Sequence, residues 1–365
     1  MKNKVIVIMA AVLLGGLSLW NLLGVKSDYS ESERRVLAKF PELSMESVVS
    51  GDFADEFEEY LVDHFPKRDA WRSVKAYAKT NVLKQKDNNG LFKTDGHLSK
   101  IEYPMNTPML EHALEVFQKV YDHYLDKDQQ VYLAVIPDKN RYLAEQNGYL
   151  SLDYEELSSY MEEEMHYADY IEIADLLEAD DYYFTDSHWR QEKIMDVAER
   201  LLKAMNSKEA VEEDNLTVTR DDDFKILDAA FYGVYVGQSA LKCEPDTIVY
   251  LSNDTIENLQ VEGANAVYDM KLAAGRDPYE MFLSGNQPIV MIKNPMQSNG
   301  KRLIVFRDSY ASSIAPLLAE EYSETVLIDL RYVSSDLLGQ FVDFEEADVL
   351  FLYSTLLLNQ SLSIK

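Results

Sequence analysis

The sequence runs to 365 residues, of which 47% are hydrophobic and 24 are tyrosine, so it is a folded chain long enough for a large α/β domain with a smaller part beside it. With 64 acidic against 35 basic residues and a formal charge of −29, no basic stripe exists to neutralise phosphates, which excludes a nucleic-acid partner. The single cysteine, Cys243, excludes an intrachain disulfide and a cysteine metal cluster.

Lys2 and Lys4 precede Val5 to Val25, an apolar run whose length matches the ~20 residues that span a bilayer as a helix. No small-x-small cleavage site follows it directly, so the expectation is an uncleaved signal anchor over residues 1–26 rather than a cleaved signal peptide. The two lysines keep the N-terminus cytoplasmic, and the body of the protein falls outside the cell membrane. Residues 27–105 read as a membrane-proximal helical segment. Phe53, Phe57, Tyr60 and Leu61 recur at helical spacing, and Trp71, Val74 and Tyr77 or Ala78 repeat the pattern after Pro66; both sets are expected in a core. Asn88-Asn89-Gly90 and Thr94-Asp95-Gly96 then bracket a short strand, the signature of a hairpin.

From 106 to 365 helices and strands alternate, which predicts an α/β fold with a mostly parallel sheet covered on both faces. Expected helices cover Met109–Leu125, Tyr154–His166, Arg190–Met205, Tyr310–Glu321 and Ser335–Phe341. Expected strands cover Val131–Ile136, Tyr170–Ala174, Leu303–Phe306, Thr325–Leu330 and Val349–Tyr353. Residues 206–300 break the rhythm, and the reading there is an insertion of short strands and loops capping the site. Its acidic runs, Glu212-Glu213-Asp214 and Asp221-Asp222-Asp223, lack the spacing of a calcium loop and read as solvated surface.

In an open parallel sheet ligands bind beyond the carboxyl ends of the strands, where Asp138, Ser309 and Arg331 fall. A serine hydroxyl needs a neighbouring base to become a nucleophile, and that base needs a third group to fix its tautomer. Ser309, in the turn after Leu303–Phe306, fills the first role, with His188 as base and Asp186 as orienting carboxylate. Structural readings stand beside this one. Asp186 and Ser309 are also residue types that cap helices, and His188 could be a satisfied half-buried ring. The other histidines show no metal-ligand spacing, and no metal or other cofactor is assigned.

Several stretches resemble the DHHW protein family and, more distantly, the SGNH-hydrolase-like domain of alginate O-acetylation proteins. They are Thr185-Asp186-Ser187-His188-Trp189, Arg35 to Pro41, Gly51-Asp52-Phe53, Asp63 to Arg68, Ile136 to Asn140, and Asp329 to Tyr332. The resemblance implies an SGNH-like domain with Asp186, His188 and Ser309 as its triad. Ser187 replaces the first histidine of the family name, and Arg307 stands where such enzymes usually have glycine. Arg307, Arg331 and Asn359 are candidates for binding substrate or the oxyanion. The function implied is extracytoplasmic O-acyl transfer, with acetylation of a cell-surface or cell-wall polysaccharide as the expected reaction and a membrane protein delivering the acyl group. Alternatives are a carbohydrate esterase using the same residues and a non-catalytic surface-polymer binding or assembly protein.

Overall fold

A computed structural model describes residues 2–24, 26–206 and 223–365. The runs Glu212-Glu213-Asp214 and Asp221-Asp222 lie outside the described residues. The chain divides into two compact units, one of Met1–Phe92 with Val234–Cys243, the other of Lys93–Gly233 with Glu244–Lys365. The division falls inside the first strand of the hairpin Leu91–Thr94/His97–Lys100, and Val234–Cys243 joins the first unit.

The first unit opens with helix α1 (Lys2–Leu23), in which Lys4–Asn21 is long and apolar enough to cross a membrane. Helices α2 (Asp52–Asp63) and α3 (Arg68–Tyr77) follow, separated at Pro66, whose ring cannot continue a helix; a wider π turn, Ala78–Val82, extends α3. The unit is tied together by ion pairs between segments distant in sequence. Arg35 grips Asp63 through two contacts of 2.8 and 2.5 Å, Arg68 reaches Glu33 and Asp63, and Arg72 lies 3.1 Å from Glu33. Phe53, Phe57, Tyr60 and Leu61 are half-buried, and Phe40 packs edge-on against Phe57 and Tyr60. Trp71, Val74 and Tyr77 are not core: they are 55%, 58% and 63% exposed. Periodicity marks an apolar helix face without specifying what the face meets, and here the inward side of α3 is Ala76 with the paired Arg68 and Arg72.

The second unit is built on a seven-stranded sheet. Its strands are β1 (Val131–Ile136), β2 (Asp169–Tyr170), β3 (Gln260–Glu262), β4 (Ile289–Lys293), β5 (Arg302–Arg307), β6 (Glu324–Ile328) and β7 (Ala347–Ser354), in the spatial order β2-β1-β7-β5-β6-β4-β3. The first five in that order run parallel, while β4 and β3 join antiparallel at the other edge. Two strands of the expected insertion are therefore part of the main sheet. The Tyr170–Ala174 strand shrinks to Asp169–Tyr170 plus one further bond, from Ile171 N to the Leu133 carbonyl at 2.8 Å.

Successive strand side chains point to opposite faces, and each face has its own core. Ala134, Val305 and Leu352 pack with Val197 and Leu201 of α6 (Met195–Asn206) and Ile314 of α7 (Ala311–Leu318). Leu133, Phe306 and Phe351 pack with Leu110 and Phe117 of α4 (Thr107–Tyr124) and Leu157 of α5 (Tyr154–Glu164). Covering both faces is what makes the central strands continuous apolar runs, each large side chain contributing about 1.5–3 kcal/mol on burial. The expected helix from Arg190 begins only at Met195, after a 3₁₀ turn at Gln191–Lys193, and Ser335–Gln340 is likewise 3₁₀.

Candidate active site

β5 ends at Arg307, and parallel pairing sets Arg307 beside Leu352 of β7, so the turn that follows emerges at the carboxyl edge of the sheet. Asp308 fastens this turn to its neighbour, accepting from Ser354 N at 2.9 Å, Ser354 Oγ at 2.5 Å and Tyr310 N at 3.0 Å. Ser309 is the half-buried residue between Asp308 and Tyr310, which caps α7. No group among the described residues accepts its backbone N–H.

The Asp186-x-His188 segment meets this turn through reciprocal bonds. Trp189 Nε1 donates to the Tyr310 carbonyl and Ser313 Oγ, both at 3.0 Å, and the Tyr310 hydroxyl donates to the Ser187 carbonyl at 2.7 Å. His188 Nδ1 then lies 2.6 Å from Asp186 Oδ1, and His188 Nε2 lies 2.8 Å from Ser309 Oγ. A carboxylate only accepts, so Nδ1 carries the hydrogen and Nε2 is left to take the serine proton. Asp186 is buried and also accepts the His188 backbone N–H at 3.2 Å; it caps no helix, because the next α-helix starts at Met195.

Other residues fix these three. Tyr279 lies flat on the His188 ring, centroids 3.9 Å apart and planes 12° from parallel, and its hydroxyl donates to the Ser309 carbonyl at 3.2 Å. Asp246 accepts from Phe184 N at 2.7 Å, Thr185 N at 2.8 Å and Thr185 Oγ1 at 2.5 Å, while the buried Lys139 ammonium donates to the Tyr183 carbonyl at 2.7 Å and the Phe184 carbonyl at 3.2 Å. The segment leading to Asp186 is thus held from both sides by opposite charges. Gly233 donates to Thr185 Oγ1 at 2.8 Å, and a Cβ there would come within 2.4 Å of Asp186 Cβ. Lys139 lies in one of the resemblance stretches; Asp246 and Tyr279 carried no sequence signal beyond their residue type.

Asp138 is buried and bonded to Asn140 N, Tyr154 Oη and Thr355 Oγ1, each at 2.9 Å. Burial pushes its carboxyl up to about 6, against the pull of those bonds.

No family model matches the sequence, and no curated protein does. Among solved structures, a DHHW family protein from Eubacterium siraeum aligns over 76% of this chain and 95% of that chain, with TM-score 0.55 at 19% identity. Bacillus cereus PatB1 aligns over 73% of this chain and 96% of its own, with TM-score 0.59 at 16% identity. The fold is similar to that of a DHHW family protein. The O-acetyltransferase domain of Pseudomonas putida AlgJ aligns with TM-score 0.45 at 13% identity, over 74% of this chain and 92% of that chain. The mostly parallel sheet with helices on both faces, expected from the alternation of elements, is the architecture present.

Within this DHHW-like fold the remaining candidates do not converge on Ser309. Arg307 is wholly buried beneath the turn, its Nη1 donating to Ser312 Oγ at 2.9 Å and the Asp308 carbonyl at 3.3 Å, and burial lowers its pKa. Those bonds brace the Asp308–Tyr310 turn from within the core. Arg331 is engaged by both oxygens of buried Asp329, at 2.9 and 2.6 Å. Asn359 donates to Glu102 Oε1 at 2.8 Å and the Pro104 carbonyl at 3.1 Å and accepts from Asn106 N at 2.7 Å, which leaves its amide no hydrogen for an oxyanion.

Proposed function

We propose that this protein is a membrane-anchored, extracytoplasmic serine O-acyltransferase that passes an acyl group, acetyl in the simplest case, to a cell-surface or cell-wall polysaccharide. The observation that carries this reading is the unbroken chain from Asp186 Oδ1 through His188 to Ser309 Oγ, at 2.6 and 2.8 Å. The non-catalytic reading expects no such alignment of a nucleophile, a base and a buried carboxylate.

In the reaction, Ser309 Oγ attacks the acyl carbonyl as its proton passes to His188 Nε2, and Asp186 stabilises the imidazolium at Nδ1. The negative charge formed on the carbonyl oxygen is met by the unengaged Ser309 N–H near the start of α7. Collapse breaks the bond to the donor, whose leaving oxygen takes the proton from His188. An acceptor hydroxyl then gives its proton to His188, attacks the acyl-Ser309 ester and leaves acylated, restoring the serine. With water as acceptor the same residues form an esterase, so the choice of product lies in what reaches the acyl-enzyme. The N-terminal apolar helix supplies the anchor, and a membrane protein supplies the acyl group.

One structure of Bacillus cereus PatB1 contains a sulfonyl adduct, and probes of that class suit the test. A sulfonyl fluoride or acyl-ester probe is expected to add its mass to the peptide holding Ser309, and Ser309→Ala to remove the addition without changing the thermal midpoint. Labelling that persists in the alanine variant removes Ser309 from the mechanism. Acylated oligosaccharide among the products supports transfer, whereas free acid alone supports the esterase.

A further inference from the structure

The first unit presents an apolar stripe that its own fold leaves uncovered. On α3 and the π turn after it, Trp71, Val74 and Tyr77 follow one another at three-residue intervals and are 55%, 58% and 63% exposed, continued by Val82 and Leu83 at 65% and 64%. The opposite side of the helix is satisfied inside the unit, with Ala76 buried and Arg68 and Arg72 paired to Glu33. Side chains of this size cost free energy in water, and a three-membered helical stripe is the pattern of a face that meets an apolar phase.

Charge narrows what that phase is. Residues 70–86 carry five basic side chains, Arg72, Lys75, Lys79, Lys84 and Lys86, and no acidic one, in a chain whose formal charge is −29. Lys75, Lys84 and Lys86 are exposed. A basic helix with Trp and Tyr on its apolar side suits an anionic lipid headgroup layer, where the rings enter the acyl boundary and the ammonium groups meet phosphate.

The position of α3 within its unit supplies the second argument. Trp71 borders the same cleft as Leu14, Leu17 and Asn21 of α1, and Asn21 Nδ2 donates to the Leu61 carbonyl of α2 at 3.2 Å. Lys4–Asn21 is about 27 Å long at 1.5 Å per residue, close to the hydrocarbon thickness of a bilayer. If that helix spans, Asn21 lies at its outer end and Leu14 about 10 Å inside it, so the cleft and Trp71 fall within the outer boundary layer of the membrane, the depth an interfacial helix reaches.

We infer that α3 and the π turn after it lie in the outer surface of the membrane, with Trp71, Val74 and Tyr77 inserted among lipid chains and the neighbouring lysines on anionic headgroups. The inference rests on the anchor reading of α1. The occupant is lipid; a protein covering the stripe is an outcome of the test.

The chain has three tryptophans, Trp20 on α1, Trp71, and Trp189 wholly buried in the second unit, so quenching reads them in turn. The full-length protein is placed in nanodiscs of phosphatidylcholine and phosphatidylglycerol, with or without bromine on the acyl chains. Trp20→Phe protein, which keeps Trp71, is expected to lose emission in the brominated lipid, and the Trp20→Phe/Trp71→Phe protein to lose none. Changing Lys75, Lys79, Lys84 and Lys86 together to Gln is expected to reduce the Trp71 loss. If Trp71→Phe protein is quenched through Trp20 but Trp20→Phe protein is not quenched, the anchor stands and the inference is overturned, leaving the stripe in water or against another protein. If neither is quenched, the anchor reading fails and the inference with it. Undiminished Trp71 quenching after the four lysine changes overturns the headgroup part.

Discussion

The two compact units divide the chain's charge unevenly. The first holds 14 basic and 13 acidic residues, and the second 21 basic and 51 acidic. The whole of the net negative charge therefore belongs to the second unit. Their apolar residues are arranged differently as well: the first exposes Trp71, Val74 and Tyr77 at three-residue intervals along one helix, while the second buries most of its large aliphatic and aromatic residues in two cores about one sheet and a third cluster that includes Phe231 and Phe282. Stretches of the DHHW resemblance occur in both units and do different physical work. Arg35, Asp63 and Arg68 lock the first unit through ion pairs, whereas Asp186, His188, Trp189 and Lys139 build the candidate site of the second. A set of matching motifs in order along a chain thus does not imply one site. Side-chain partners decide which motifs are structural and which are chemical.

If chemistry is confined to the second unit, substitutions there should dominate turnover. Asp186→Asn is the sharpest, because it keeps shape while removing the charge that stabilises imidazolium and the acceptor that fixes the tautomer; it is expected to lower kcat by roughly 10⁴ with the thermal midpoint nearly unchanged. Full turnover of a soluble ester by that variant would break the comparison at its centre.

Next in size is a pH effect on stability. Asp138 has its folded pKa raised to about 6, so the native state holds this proton more tightly than the unfolded chain does. Its contribution is most favourable below the unfolded pKa and falls as pH rises through the folded one, by about 3 kcal/mol between roughly pH 4 and pH 6. Asp138→Asn cannot titrate and is expected to lack that decline when urea unfolding is compared at pH 4 and pH 7. Parallel curves for the two proteins would refute a buried, proton-holding Asp138.

Gly233→Ala comes third. Its Cβ would fall 2.4 Å from the Thr185 carbonyl oxygen and from Asp186 Cβ, so the carboxylate has to shift, and a displacement near 1 Å at a catalytic group is worth about 10²-fold in rate. The measurement is kcat beside the crystal position of Asp186, and an unshifted, fully active variant would show that the contact is slack. The smallest effect belongs to the first unit. Trp71→Ser is expected to leave turnover of a water-soluble ester within twofold of wild type, since the exposed side chain supports no part of the triad. A larger loss would mean that the units do not divide the work as their surfaces suggest.

How far the sequence was readable follows from how each part is held. Val131–Ile136, Leu303–Phe306 and Val349–Tyr353 stand out as strands because burial on both faces demands unbroken apolar runs. Ser309 and His188 stand out because their residue types sit at a strand-to-helix turn and in an Asp-x-His pair. The antiparallel strand Ile289–Lys293 has the same apolar character, but it follows loops in a region without rhythm, and only pairing with β6 reveals it. Asp246 was illegible: one aspartate among 64 acidic residues has no local pattern, and its role comes from a fold that brings it to Phe184 and Thr185. The exposed face of α3 shows the complementary limit, since periodicity reports that a face is apolar and is silent on whether protein or lipid covers it.

The grip of Asp246 on Thr185 also bears on how the site comes into being. His188 and Ser309 are drawn together across 121 residues, and the approach to Asp186 is held by Lys139, 45 residues before Phe184, and by Asp246, 61 residues after Thr185. Closing such loops is entropically costly, and nothing local rewards it until the sheet and the intervening region have docked. A newly made chain therefore exposes a serine and a histidine that have not yet met. On the proposed reading, a partly folded chain carries Asp186, His188 and Ser309 without the geometry that would make the serine reactive.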